Sequence, residues 1–323
     1  VKAIVFHGYG SPDVLRLEEV DTPKVADDGV LVRVRAASVN PADWHGVTGT
    51  PYVARLSFGL RRPKETAVGV DFAGTVEAVG PAVDRFRPGD RVFGTRTGAF
   101  AEYVSVRQGR AVAPVPANLT FEQAAAVPLA AATALQGLRD KGKLRSGQRV
   151  LVNGASGGVG TFAVQLAKAL GARVTGVCST RNVELVRSLG ADEVIDYTVE
   201  DFTRAGSRYD LLLDVAGSRR WSECRRVLEP DGTLVVVGGP KTGRWFGPMS
   251  HLVGTLVASL PGRRRAVPFL AKVDHATLMD LHAFLESGQV TPVIDRRYPL
   301  ADAADALRYL GEGHAPAKVV LTI

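Results

Sequence analysis

Residues 150–172, VLVNGASGGVGTFAVQLAKALGA, decide the fold. An apolar run over Arg149–Asn153 reads as a buried strand, and 158–170 continues at helical spacing. Between them stand Gly154, Gly157, Gly158 and Gly160. Glycine permits a sharp turn, close approach of backbone to a pyrophosphate, and tight helix–strand contact. The helix start adds free N–H groups and a positive dipole end, which suit phosphate. The middle place of the usual GxGxxG pattern holds Ala155 or Ser156, so the weight falls on what surrounds the turn. Downstream, strands at Arg173–Cys178, Glu193–Asp196, 210–214 and 233–238 alternate with helices at 182–189 and 219–228. That alternation predicts an α/β fold with a doubly wound parallel sheet of the Rossmann kind.

Upstream the pattern changes. Short runs at 31–36, 74–79, 91–93 and 101–106 are bounded by Gly, Pro and Asp, so residues 1–115 read as a β-rich barrel. Thr120 and Gln123 have the spacing of a capping box, and a helical stretch follows to about Lys143, interrupted by Pro128. Helical spacing returns over 267–288, and 318–323 reads as a closing strand. Between these, HLVGTLVASLPG (251–262) is apolar and is followed by Arg263, Arg264 and Arg265. It reads as a lid, a subunit contact or a membrane-surface segment.

Composition sets limits. The 323 residues are 46% hydrophobic and 23% charged, a globular balance that excludes a disordered or fibrous chain. The length suggests two domains. Two cysteines cannot build a disulfide framework or a four-cysteine zinc lobe. No apolar run reaches ~18 residues, and the first ten residues alternate like a strand, so the expectation is a soluble, cytoplasmic protein. The net charge of +7 suits an anionic partner, and a phosphate-bearing cofactor explains it without a nucleic-acid module.

The strand after the glycine turn selects that cofactor. NAD-binding turns usually carry Asp or Glu about 20 residues on, bonded to the ribose. Here the strand ends Cys178-Ser179-Thr180-Arg181-Asn182, with no carboxylate before Glu184. Hydroxyls and a guanidinium hold a 2′-phosphate that a carboxylate would repel, so NADP(H) is expected. The alternative for Arg181 is a solvated helix-start residue.

SVNPADWHG (38–46), GVDFAGTVEAVG (69–80), RPGDRVFG (87–94), GAFAEYV (98–104), AAATALQGL (130–138), NGASGGVG (153–160), SLGADEVIDY (188–197), DGTLVVVGG (231–239) and GHAPAKVV (313–320) together cover essentially the whole chain. In these motifs the sequence resembles the medium-chain dehydrogenase/reductase superfamily. It is most similar to the zinc-independent quinone oxidoreductase branch, in the subgroup of the chloroplast-envelope quinone oxidoreductase homologue and the mitochondrial reticulon-interacting protein. The resemblance implies a GroES-like substrate domain from both chain ends, at 1–119 and 266–323, with an NADP-binding Rossmann domain at 120–265. It implies that Ser156, Gly157, Gly158 and Val159 meet the pyrophosphate and that Ser179, Arg181 and Asn182 hold the adenosine phosphate. It places Tyr197 at the adenine, Thr133, Val215 and Gly238 near the nicotinamide, and His314 and Ala315 on the far side. Tyr197 read otherwise is a packed aromatic, and His314 a plain loop histidine.

The zinc alcohol dehydrogenases of the same superfamily place a Cys where Asn40 stands and a GHE motif where Gly69-Val70-Asp71 stands. The sulfur and the imidazole are missing, so the expectation is no metal. The implied activity is NADPH-dependent hydride transfer to a quinone or an electron-poor double bond, an acceptor that needs no Lewis acid. The alternatives are an enoyl-thioester reductase, with Arg61, Arg62 and Lys64 near a carrier phosphate, and an NADPH-binding regulatory or assembly protein with little turnover. Asn40 and Tyr52 are the expected catalytic residues, Asn40 donating from its amide to an acceptor oxygen that gains charge. Asp43 and His45 are further candidate polar groups beside the nicotinamide ring, but Asp43 reads more readily as a helix cap after Pro41, and a cofactor contact by His45 is in doubt. The expected partners are a small quinone or enone and, by the superfamily's habit, a second copy of the chain. Nucleic acid and membrane are not expected.

Overall fold

The computed structural model describes residues 1–238, 248–259 and 263–323. The chain forms two compact units, one of Val1–Ala132, Lys272–Gly288 and Pro292–Ile323, the other of Thr133–Ala271 and Gln289–Thr291. These divisions fall beyond the expected 119/120 and 265/266.

The first unit is built on a seven-stranded sheet whose hub is Gly29–Val39. This long strand alternates buried Val30, Val32 and Val34 with exposed Arg33 and Arg35, as a half-buried strand must. Along its length it pairs antiparallel with Asp71–Val79, Tyr103–Arg107 and Lys318–Thr322. The register sets Ser38 opposite Asp71 and Val39 opposite Val319. One end of the hub therefore collects polar residues from three distant stretches of sequence. One apolar cluster of this unit contains Val30, Val32, Phe72, Val92 and Val112; another contains Phe6, Val47, Phe100, Leu307 and Val319. The capping box forms: Gln123 N–H donates to Thr120 Oγ1 at 3.2 Å, and Thr120 N–H to Gln123 Oε1 at 3.0 Å.

The second unit is a six-stranded parallel sheet. Numbered by place within the unit, its strands run 3-2-1-4-5-6, the order of a Rossmann fold. The first strand is Arg149–Asn153, and the order reverses between it and Tyr209–Asp214, the fourth. The helix Gly158–Ala169 is apolar on nearly every face and buried from Gly160 to Ala167.

Two expectations are corrected. The helix expected at 219–228 shrinks to Trp221–Cys224 and a 3-10 turn at Arg225–Val227, because Leu228 already begins the fifth strand. The helix expected from 267 begins at His275, where Asp274 caps it by accepting from Thr277 N–H at 2.9 Å. Before that cap, Val267 pairs with Val235 as part of the sixth strand, and Leu270 is 88% exposed. The apolar segment at 251–262 lies partly in the helix Pro248–Ser259, with Val253, Leu256 and Val257 exposed; residues 260–262 lie outside the described residues. No helix among the described residues is long and apolar enough to cross a membrane.

Candidate active site

Parallel strands put their C-terminal ends on one edge of a sheet, and ligands bind at that edge in open α/β sheets. In the second unit, Ser156, Gly157, Gly158 and Val159 follow the first strand, and Ser179, Arg181 and Asn182 follow the second. Tyr197 follows the third, Val215 the fourth and Gly238 the fifth. The structure thus gathers these ten residues at one sheet edge, at and beside the switch point.

The turn is compact for a definite reason. Gly154 has φ +87°, and a Cβ on Gly160 would lie 2.0 Å from the Gly154 carbonyl oxygen. No side chain caps the helix that begins at Gly158, so its first-turn N–H groups are left for a phosphate. Asn182 is buried and donates to Ser156 Oγ at 3.1 Å and to Ser179 Oγ at 3.2 Å. It braces two turns and orients two hydroxyls. Arg181 stands exposed on the same 3-10 turn, Thr180–Asn182. Tyr197 is 52% exposed, free of the packed role considered for it. These residues fit a dinucleotide with a phosphorylated ribose.

Sequence reading missed one acid here. Asp196 sits opposite Cys178 across the sheet, although it is far along the chain. Its Oδ1 accepts from Thr198 N–H at 2.9 Å and Thr198 Oγ1 at 2.7 Å, and Thr180 and Thr198 hydroxyls lie 2.9 Å apart. Hydroxyl donation from Thr180 and then Thr198 holds this carboxyl below its usual range. The acid is occupied by its own loop.

Thr133 is buried in the helix Pro128–Leu135. His314 and Ala315 belong to the first unit, on the loop between Ala303–Gly311 and Lys318–Thr322. His314 is exposed, while Ala315 packs against that unit's apolar cluster.

The polar end of the hub strand lies in the first unit. Asn40, Asp71 and Lys318 are buried there, with exposures of 2%, 0% and 3%. Lys318 Nζ donates to Asn40 Oδ1 at 2.7 Å and lies 3.8 Å from Asp71 Oδ2. Asn40 Nδ2 donates to Asp71 Oδ2 at 3.0 Å and to the Ser38 carbonyl at 3.2 Å. Asp71 also accepts from Ser38 Oγ at 3.0 Å and from Leu129 N–H at 3.2 Å. Burial pushes the Asp71 carboxyl up and the Lys318 ammonium down, each opposed by the other's charge. This corrects the expected role of Asn40: both amide hydrogens and the amide oxygen are already engaged, so no donor is left for an acceptor.

The donor set does not fit zinc. The places that zinc dehydrogenases give to Cys and His hold Asn40 and Val70, and the Lys318 ammonium already stands against Asn40 and Asp71. Among the described residues no three His, Cys, Asp or Glu side chains are grouped to hold a metal ion. Cys178 and Cys224 are free and buried, and burial pushes the Cys178 thiol up to about 11.

A cavity of about 370 Å³ opens beside this network. Phe6, Val47, Phe58, Pro63 and Val68 give it apolar walls, and Asp43, Lys64 and Glu65 add ionisable groups. Asp43 lies in the first turn of the helix Pro41–Thr48, and its Oδ2 accepts from Asn40 N–H at 2.7 Å, the cap read from the sequence. Tyr52 stands apart from this lining, with the Arg55 guanidinium 4.7 Å from its ring centre. His45 is tied to its own loop, Nδ1 lying 2.6 Å from the Thr50 carbonyl.

Comparison with known proteins agrees with this geometry. Residues 26–117 match the model of the alcohol dehydrogenase GroES-like domain, and residues 189–321 that of zinc-binding dehydrogenase. A 2-methylene-furan-3-one reductase of Solanum lycopersicum is 36% identical over 99% of this chain and 79% of its own length. The chain belongs to the medium-chain dehydrogenase/reductase superfamily. Another superfamily member, the chloroplastic NADPH-dependent alkenal/one oxidoreductase of Arabidopsis thaliana, is 35% identical over 99% of this chain and 79% of that protein. The quinone oxidoreductase from Coxiella burnetii shares the superfamily architecture, with a TM-score of 0.87 and 29% identity over 100% of this chain and 99% of that one.

Proposed function

We propose that the protein is an NADPH-dependent, zinc-free oxidoreductase that reduces a quinone or an electron-poor carbon–carbon double bond of the enone or enal type. The observation that carries this reading is Lys318. Its ammonium lies 2.7 Å from Asn40 Oδ1 and 3.8 Å from Asp71 Oδ2, so a positive charge already stands against the residues at the positions that the zinc dehydrogenases give to a ligand Cys and to the acid of GHE. Oxidising an alcohol needs a partner for the alkoxide, which zinc gives. A quinone or enone is already electrophilic and needs only a hydride and then a proton. The alkenal/one and quinone oxidoreductases above are named for acceptors of this class.

Bound NADPH supplies the hydride. The chain's own residues bind and orient. The uncapped helix start at Gly158 and the hydroxyls of Ser156 and Ser179 meet the phosphates, with Asn182 fixing both hydroxyls. Arg181 offers the charge that favours a 2′-phosphate. Asn40 acts as a positioning residue within the Ser38–Asp71–Lys318 network, and no catalytic role is carried forward for Tyr52, whose ring stands outside the cavity lining. Two free buried cysteines suit a reducing compartment such as the cytoplasm. Pairing of two copies is part of the proposal and is checked by light scattering.

The test is a panel of quinones, enones, enals and enoyl thioesters, with NADPH consumption followed by absorbance. Turnover of quinones or enones with NADPH preferred over NADH is the expected result. A strong NADH preference, or no turnover of any quinone, enone or enal, refutes the reading.

A further inference from the structure

We propose that Asp43 is the acid that delivers the proton completing reduction of an acceptor bound in the cavity of the first unit; this rests on the reductase reading above. Three observations point to it. Asp43 lines the apolar cavity, yet the residue is only 5% exposed, so a charge forming there meets few water molecules. Its two oxygens are differently used. Oδ2 accepts from the Asn40 N–H at 2.7 Å, which fixes the carboxyl plane, while Oδ1 makes no hydrogen bond to the described residues. The polar groups at the end of the hub strand next to it are committed elsewhere: Asn40, Ser38, Asp71 and Lys318 are closed on one another.

The chemistry balances. Hydride adds to the β carbon of an enone, and the double-bond electrons move onto the carbonyl oxygen as an enolate. The Oδ1–H bond of Asp43 breaks, its electrons stay on the carboxylate, and the proton goes to the α carbon as the carbonyl re-forms. A water proton restores the carboxyl for the next cycle. The surroundings keep the acid protonated near neutrality. Burial pushes the carboxyl up to about 7; the Asn40 N–H lowers it, the Asp71 charge raises it and Lys318 lowers it. Lys64 and Glu65, of opposite sign, also face the cavity, and His45 lies two residues on along the same helix. A general acid works best with its pKa near the working pH.

Asp43→Asn separates this role from simple capping, because an amide oxygen still accepts the Asn40 N–H but delivers no proton. The parent should turn over an enone rapidly at pH 6 and lose rate as pH rises through about 7. The variant should be ~10²-fold slower with a flat profile, while its melting temperature and its NADPH affinity stay near the parent's. Difference infrared spectra of NADPH-free protein should show a protonated-carboxyl band in the parent that disappears between ~pH 6 and 8 and is absent in the variant. A variant at the parent rate overturns the proposal, and so does a flat parent profile across this range or the absence of the band in the parent, neither of which needs the variant to fold. A parent that consumes no acceptor of the panel refutes the reductase reading itself, whatever the infrared band shows.

Discussion

Lys318→Met removes the ammonium while keeping an unbranched apolar stem in a site that is 3% exposed. The nitrogen's losses are specific: the 2.7 Å bond to Asn40 Oδ1, a 3.4 Å contact to the Val39 carbonyl and the 3.8 Å ion pair with Asp71. Breaking one side of a buried pair costs about 3–5 kcal/mol, since the other charge stays buried. Asp71 keeps its donors from Ser38, Asn40 and Leu129, so the lower end, about 3 kcal/mol, is expected. At about 2–4 °C per kcal/mol, melting should fall by roughly 6–12 °C. The pH dependence has a definite sign. Burial already raises the Asp71 carboxyl above its unfolded value, and Lys318 is the largest influence opposing that rise. Without Lys318 the folded protein holds the Asp71 proton still more tightly than the unfolded chain does. The stability gap between parent and variant should therefore be widest at pH 8 and shrink towards pH 5 as the carboxyl takes up its proton. Adding Asp71→Asn to the variant should recover most of the loss. Thermal melts of the parent, Lys318→Met and the double variant at both pH values decide the matter. A gap of equal size at pH 5 and pH 8, with no recovery in the double variant, would mean that Lys318 only fills space.

Three further outcomes are expected. Arg181→Ala should weaken NADPH by about 1.5–3 kcal/mol and leave NADH nearly unchanged by calorimetric titration, whereas equal losses for the two cofactors remove Arg181 from the phosphate site. Asn40→Ala breaks bonds to Ser38, Asp71 and Lys318, so it should lower the melting temperature while turnover at low temperature stays near the parent value; a fall in turnover with an unchanged melt would return Asn40 to direct contact with the acceptor. Prolonged treatment with a chelator should leave turnover unchanged and elemental analysis should find no stoichiometric zinc, and one tightly held zinc that turnover requires would defeat the argument from the donor set.

The sequence by itself determined what depends on neighbours along the chain. The strand-turn-helix at 149–170, the alternation that follows it and the Thr120 capping box all rest on local periodicity and local turn chemistry. The same holds for the gathering of Ser156, Ser179, Tyr197, Val215 and Gly238, because parallel strands necessarily end on one edge. The helix expected at 267–288 failed where local spacing lost to long-range pairing: Val267 is held by Val235 in the sheet. Asp196 was invisible as a neighbour of the Ser179 turn because only the sheet register sets it opposite Cys178. Lys318 lies 278 residues from Asn40, and no period or motif spacing spans that separation. Only the pairing of Lys318–Thr322 with Gly29–Val39 brings its ammonium beneath Asn40 and Asp71. Burial then changes what those residues are. An amide that looks like a free donor in SVNPADW becomes a closed link between a carboxylate and an ammonium, and a capping aspartate becomes an acid whose proton is held near neutrality, because both are buried.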